Sequence, residues 1–307
     1  MLRWRIPTLA ALFLSLLPSA GLARSAQLEM NGFIEYTPQV VPLAGLHDVI
    51  TPASSSSALV NSLRIPLSTA GAQVVGSARL GALGLEVGTE VTNGPANVAP
   101  GGVFASGNIS WLDTVTLTTS NPALFGFTHT LNWSAGFIGN GGSIVIGPGS
   151  QRSGTATYSV RIDVGASSVS AAGQWDYLDG VGASFTGDLP EQYYRGTTAF
   201  RFGAPFAIGA RIDLTSRSGT GGGKIETFAD FIGTLAWNGI IDVRTASGVL
   251  LSDSDFTLTS ESGLDWRQAV AVPEPSSIAL MITALPVVLL VSRRRICRSR
   301  MPLKRAA

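Results

Sequence analysis

Four carboxylates and four aromatic rings crowd one short stretch of this chain. Asp176, Asp179, Asp188 and Glu191 stand among Trp175, Tyr177, Tyr193 and Tyr194. Two carboxyl groups flanking a glycosidic bond can act as acid and base, or as acid and nucleophile, at separations that differ between the two mechanisms. Aromatic faces beside carboxylates can also hold a sugar without cutting it. Trp175, Asp176, Tyr177, Asp179, Tyr193 and Tyr194 are therefore a candidate sugar contact. The plainer reading of the same residues is a long solvated loop between strands whose rings pack on the body.

Other chemistry has less to work with. A Ser-His-Asp arrangement needs a histidine as base, and the chain has two, His47 and His129. His129 falls in Phe127-Thr-His-Thr-Leu131, where alternation puts it on a strand face with Phe127 and Leu131. His47 lies in a proline-rich stretch read as a loop, and no nucleophile elbow accompanies either residue. Two histidines more than eighty residues apart show no zinc-ligand spacing. Asp253-Ser254-Asp255 alternates oxygen donors but lacks the glycine and distal glutamate of a calcium loop. Asn108 and Asn132 head glycosylation-type triplets, a three-residue match that carries little weight by itself. The expectation is a non-enzymatic protein with no catalytic residue, no cofactor and no metal.

The elements that would position these residues read as strands. Only 13% of residues are charged and 36 are glycine. Tyr158, Val160, Ile162 and Val164 alternate with Ser159, Arg161 and Asp163; Phe206, Ile208, Ala210, Ile212 and Leu214 alternate with Arg211 and Asp213. Val115 and Leu117, and likewise Phe256 and Leu258, alternate with threonines. Such alternation buries one face and wets the other, as antiparallel sheets allow. Asn238-Gly239 between two apolar runs is the preferred pair for a two-residue hairpin turn, and Asn140-Gly141-Gly142, Pro148-Gly149 and 219–223 mark further turns. The expected fold is all-β, an antiparallel β-sandwich of jelly-roll type, with a solenoid the weaker alternative. Arg161-Ile162-Asp163 and Arg211-Ile212-Asp213 are the single internal echo, better explained by shared patterning than by a repeat. Residues 42–57 and 93–102 read as loops. One sandwich over 27–268 and a division near residue 102 are equally economical.

The ends are different. Arg3 and Arg5 precede an apolar stretch over 6–17, and small residues follow at Gly21 and Ala23. That is the pattern of a secretory signal over 1–23, a short N-terminal helix cut after Ala23 or Ser25. Removing the two basic residues of that leader and the seven after residue 292 leaves 12 of the 21 Lys and Arg, against 20 acidic residues. The middle is thus near −8, with Lys224 its only lysine, which argues against nucleic acid as a partner. The one cysteine, Cys297, lies in the basic tail, so the middle forms no disulfide.

That tail has three parts in order. After a linker over 269–275, containing Pro273, Glu274 and Pro275, comes an uncharged apolar run over 276–292, and then Arg293, Arg294 and Arg295. Seventeen helical residues reach roughly 25 Å, the short end of a transmembrane helix. The cations at 293–307 stay on the cytoplasmic side. The combination resembles the PEP-CTERM protein-sorting signal of bacteria. The resemblance is confined to the tail. It implies recognition by an exosortase-type membrane protease, with Pro273, Glu274 and Pro275 as the sorting motif and Arg293, Arg294 and Arg295 as the retention cluster. It also implies export, transient anchoring in the inner membrane, and a destination at the cell surface or in an extracellular matrix, near exopolysaccharide.

Overall fold

The computed structural model describes residues 26–37, 41–51, 58–66, 70–93 and 101–270. The leader, Pro273, Glu274 and Pro275, the apolar run and Arg293, Arg294 and Arg295 lie outside the described residues. Among the described residues no helix is long and apolar enough to cross a membrane.

Among the described residues fifteen strands follow one another: β1 (Gln27–Thr37), β2 (Val41–Ile50), β3 (Ala58–Pro66), β4 (Ala70–Arg79), β5 (Ala82–Asn93), β6 (Gly101–Thr118), β7 (His129–Ile138), β8 (Asn140–Ser150), β9 (Ser153–Val164), β10 (Ser167–Leu178), β11 (Gly182–Gly187), β12 (Glu191–Phe200), β13 (Pro205–Thr220), β14 (Gly222–Arg244) and β15 (Thr257–Ser260). They form two sheets that face each other across a common apolar core. The first runs β11-β10-β9-β13-β6-β1-β2, with β15 also on β6; the second runs β12-β7-β14-β5-β4-β3, with β8 also on β14. Every pairing is antiparallel. Because β1 pairs with β6 and β5 with β14, strands from both sides of residue 102 are woven into each sheet.

The alternation read from sequence fixes which face turns inward. Tyr158, Val160, Ile162 and Val164 are buried, as are Ile208, Ala210, Ile212 and Leu214, while their polar neighbours face water. The echoed Arg-Ile-Asp triplets are neighbours on β9 and β13. Arg161 lies opposite Arg211, and each arginine is paired with the aspartate two residues on, at 2.9 Å and 2.6 Å. A like-charge cross-strand pair is unfavourable, and the two aspartates offset it.

Five expectations fail. The Asn238-Gly239 pair makes no hairpin: β14 runs straight through it and pairs with β7 on both sides, with a bulge between Trp237 and Gly239. The left-handed φ of Gly239 (106°) is used for that bulge, beneath the Arg267 carbonyl, where a Cβ would come within 2.6 Å. Asn140-Gly141-Gly142 is likewise strand, the start of β8, and Pro148-Gly149 lies near the end of the same strand. Residues 42–50 are strand as well, so His47 sits on β2 rather than in a loop. Finally, 175–194 is no long loop but β10, β11 and β12, turned at 179–181 and 188–190.

One end of the sandwich is closed by the chain after β15. Glu261 N donates to the Thr114 carbonyl (3.0 Å) and Val270 N to the Trp237 carbonyl (2.9 Å), so this strap crosses from the first sheet to the second. Between those points Trp266 fills the end of the core. Its ring stacks on Trp111 (4.8 Å) and meets Trp237 edge-on (5.7 Å), while Trp237 stacks on Trp133 (5.7 Å). Trp266 Nε1 donates to the buried Asp113 carboxylate at 2.7 Å, which also accepts the Ser262 hydroxyl at 2.6 Å. Trp237 Nε1 in turn donates to the Trp266 carbonyl (2.8 Å). A buried carboxylate is costly unless hydrogen-bonded, and here the strap supplies the Trp266 and Ser262 donors beside the amide of Thr114. The start of β1 is at this same end, since Gln27 pairs with Leu112, next to Asp113.

Candidate functional site

The residues of 175–194 fall into separate settings. Trp175 lies on the inner face of β10, half-buried between Tyr158 (5.4 Å) and Phe185 (5.2 Å). Tyr194 stacks on Phe137 (5.7 Å), and Tyr193 points outward from β12, exposed, above Gly136. Asp176 is on the opposite face of β10 from Trp175, accepting from Thr155 Oγ1 (3.0 Å) and Gln174 Nε2 (2.7 Å). Asp179, at the hairpin tip, pairs with Arg152 Nε (3.1 Å), which holds its carboxyl below the usual carboxylate range; Tyr177 Oη donates to it at 2.9 Å. Asp188 Oδ2 accepts the Ala172 amide (3.1 Å), and Glu191 is exposed on β12. The hydroxyl of Tyr158 donates to the Asp188 carbonyl, and burial, with the Asp188 charge adding, pushes that phenol up to about 12. Trp175 and Tyr194 pack on the core, Tyr177 turns to Asp179 and Tyr193 turns outward, and the four carboxylates lie in four separate settings.

The two histidines are also apart, one in each sheet. His129 Nε2 donates to the Leu124 carbonyl (2.8 Å), and its ring is buried against Phe200 and Phe202. Leu131 shares that inner face, while Phe127 precedes the strand and is exposed. His47 is exposed on β2 and bonds Asn31. Asp255 accepts from Ser252 N and Oγ, both at 2.7 Å, closing a local turn in which Ser254 bonds Ser252. No three metal-ligating side chains converge among the described residues.

A different group of side chains forms a cleft of about 490 Å³ on the outer face of the second sheet. Register builds it. Glu226 of β14 lies opposite Glu90 of β5, Phe228 opposite Gly88, and Asp230 opposite Glu86; on the other side of β5, Gln73 lies opposite Gly88 and Gly71 opposite Glu90. Gly88 leaves the gap between the Phe228 ring and the Gln73 amide. Facing carboxylates repel, and Lys224 holds one pair together, 2.8 Å from Glu90 and 2.7 Å from Glu226. Those two bonds raise the Lys224 ammonium above the ordinary lysine range, Glu226 contributing most. Gln73 donates to Glu86 across the strands. The cleft thus offers one aromatic face and a ring of oxygen and nitrogen atoms already fixed by mutual bonds. An apolar wall with a few placed polar groups is how small-molecule sites are built.

Sequence reading missed this cleft. Glu86, Gly88 and Glu90, and Lys224, Glu226, Phe228 and Asp230, show the required alternation, but nothing in the sequence aligns two segments so far apart.

No protein-family model matches the chain, and comparison with curated proteins and with solved structures gives no match either.

Proposed function

We propose that the chain is an exported bacterial surface or extracellular-matrix protein, structural or adhesive rather than catalytic, sorted by a PEP-CTERM-like tail. The observation that carries this reading is the ordered tail: Pro273-Glu274-Pro275, an uncharged run over 276–292, then Arg293, Arg294 and Arg295. An exosortase-type protease and the inner membrane are the partners it implies, with exopolysaccharide at the destination. The body fits such a role. It is an all-β scaffold, and we read it as jelly-roll type because successive strands change sheet at β2–β3, β5–β6, β6–β7, β8–β9 and every step from β11 to β15. The strap ends at Val270, three residues before Pro273, so processing near the motif leaves Trp266 and its contacts in the mature protein.

Cell fractionation with intact mass measurement tests the reading. The mature wild-type protein is expected at the surface or in the medium, with a mass lacking the leader and the residues beyond the motif. With Arg293, Arg294 and Arg295 replaced by alanine, the uncut tail is expected to remain in the measured mass. A wild-type mass running intact to Ala307 would remove the sorting proposal.

A second reading, carbohydrate binding, is favoured by the outer cleft rather than by the 175–194 rings. A pyranose presents an apolar face suited to Phe228 and hydroxyls suited to Gln73, Glu86 and Glu90. Phe228→Ala is expected to weaken binding to an immobilised polysaccharide about tenfold or more, near the 1.4 kcal/mol such a factor represents, while Phe228→Tyr retains it. Equal binding by the alanine variant would end this reading.

A further inference from the structure

The cleft on the outer face of the second sheet has a direction. Residues on one face recur at every second position of a strand, roughly 7 Å apart, and meet their cross-strand neighbours at about 5 Å. Gly142 of β8, Phe228 of β14, Gly88 of β5 and Gln73 of β4 stand in one such cross-strand row. Phe228 is thus set between two glycines. A Cβ on Gly142 would meet nothing within 4 Å, and one on Gly88 would come no nearer than 3.5 Å to Gln73. The row is a floor with open ground on both sides of the ring. The rows flanking it are walls, one with Glu226 opposite Glu90, the other with Asp230 opposite Glu86.

Both walls are acidic. Against their four carboxylates stand two cations, Lys224 on the far side of one wall and Arg64, which follows Gln73 in register on β3. Among the described residues the cleft therefore keeps a negative excess. A neutral sugar chain would use the aromatic floor and leave that charge unanswered. A chain whose rings carry protonated amines meets both, with an apolar ring face on Phe228 and ammonium groups toward the walls. Glu86 and Glu90 lie four positions apart on β5, roughly 14 Å between Cα atoms, and their side chains are bonded by Gln73 and Lys224. That spacing leaves room for a pyranose between them, over Gly88. A cation beside the Phe228 ring is further attracted by its negative face.

We propose that the ligand of this cleft is a linear polysaccharide of amino sugars with free amines, laid across β14, β5 and β4, an assignment that rests on the carbohydrate reading of the same cleft and names the sugar. Phe228 and Gly88 hold one ring, and Glu86 and Glu90 select the amine by charge complementarity.

The test uses the full-length chain in detergent and three fluorescein-labelled β-1,4-linked hexamers, of glucosamine, N-acetylglucosamine and glucose. Titrations are run at about pH 6, where carboxylates are ionised and the sugar amine is protonated. The glucosamine hexamer is expected to bind about tenfold or more tighter than either neutral hexamer, with a preference that shrinks as salt rises. Glu86→Gln/Glu90→Gln should bring it down to the level of the neutral ones. Gly88→Val places a side chain where a Cβ is accommodated, so it should keep the wild-type unfolding midpoint and weaken the glucosamine hexamer about tenfold or more. Glu191→Gln/Asp253→Asn removes the same charge from exposed positions elsewhere and should leave the preference unchanged. Equal affinity for the three hexamers overturns the amine assignment and leaves the carbohydrate reading in place, whereas no binding by any of them overturns both. A preference that survives the double glutamine variant, or is erased equally by the distant pair, overturns the assignment. So does hexalysine binding as tightly as the glucosamine hexamer, which would make the ligand a cationic peptide.

Discussion

Trp266→Ala is expected to destabilise the body by about 3–5 kcal/mol, the range for removing a large buried aromatic. Three interactions go together. The ring is fully buried between Trp111 and Trp237, so its loss leaves a cavity at the end of the core. The Asp113 carboxylate loses the 2.7 Å bond from Nε1 and keeps the Ser262 hydroxyl and the Thr114 amide as donors. The strap, held elsewhere by Ser262 and by Val270 N, loses its central contact. Trp266→Phe separates these terms. It retains much of the packing but not the donor, and is expected to cost about 1–3 kcal/mol. Denaturant unfolding followed by tryptophan fluorescence measures both. A change below 1 kcal/mol for the alanine variant would show the strap to be an appendage and not a closure of the core.

The same segment shows what sequence could and could not reveal. Alternation exposed the inner faces of β9 and β13 because burial on one side of a sheet imposes a period of two that survives in any single strand. Tyr158 through Val164 and Ile208 through Leu214 are buried as that period demands. The strap has no period. Trp266 is one aromatic among polar residues, and its importance comes from Asp113, which lies 153 positions earlier. Turn signals were weaker still, because a glycine reports an unusual backbone or a close approach without saying which. Asn238-Gly239 is a bulge, and Gly141 is room for Trp175. The outer cleft was illegible for the reason that hid the strap: Glu90 and Glu226 meet only through the register of β5 on β14. Of the 175–194 rings, Trp175 and Tyr194 join the aromatic core around Phe137 and Tyr158, a packing that follows from strand alternation. The carboxylates between them alternate to the other face or sit in turns, and proximity in sequence does not bring them together.

Gly139→Ala is expected to cost about 1–3 kcal/mol or more by overpacking, far beyond the usual effect of one methyl group on a surface. Gly139 joins β7 to β8, and an added Cβ would lie 2.1–2.4 Å from three atoms of the Phe231 ring. That ring cannot withdraw. It is fully buried, 5.0 Å from Tyr158 and 6.2 Å from Phe137. The backbone must therefore move, and it is the backbone that sets β8 on β14. Gly45→Ala is the matched control, because among the described residues a Cβ on that exposed edge position would meet only the Gly32 carbonyl, at 4.0 Å. Its effect should stay within about 0.5 kcal/mol. If the two substitutions proved equal, the Phe231 contact would not be what bends the chain from β7 into β8.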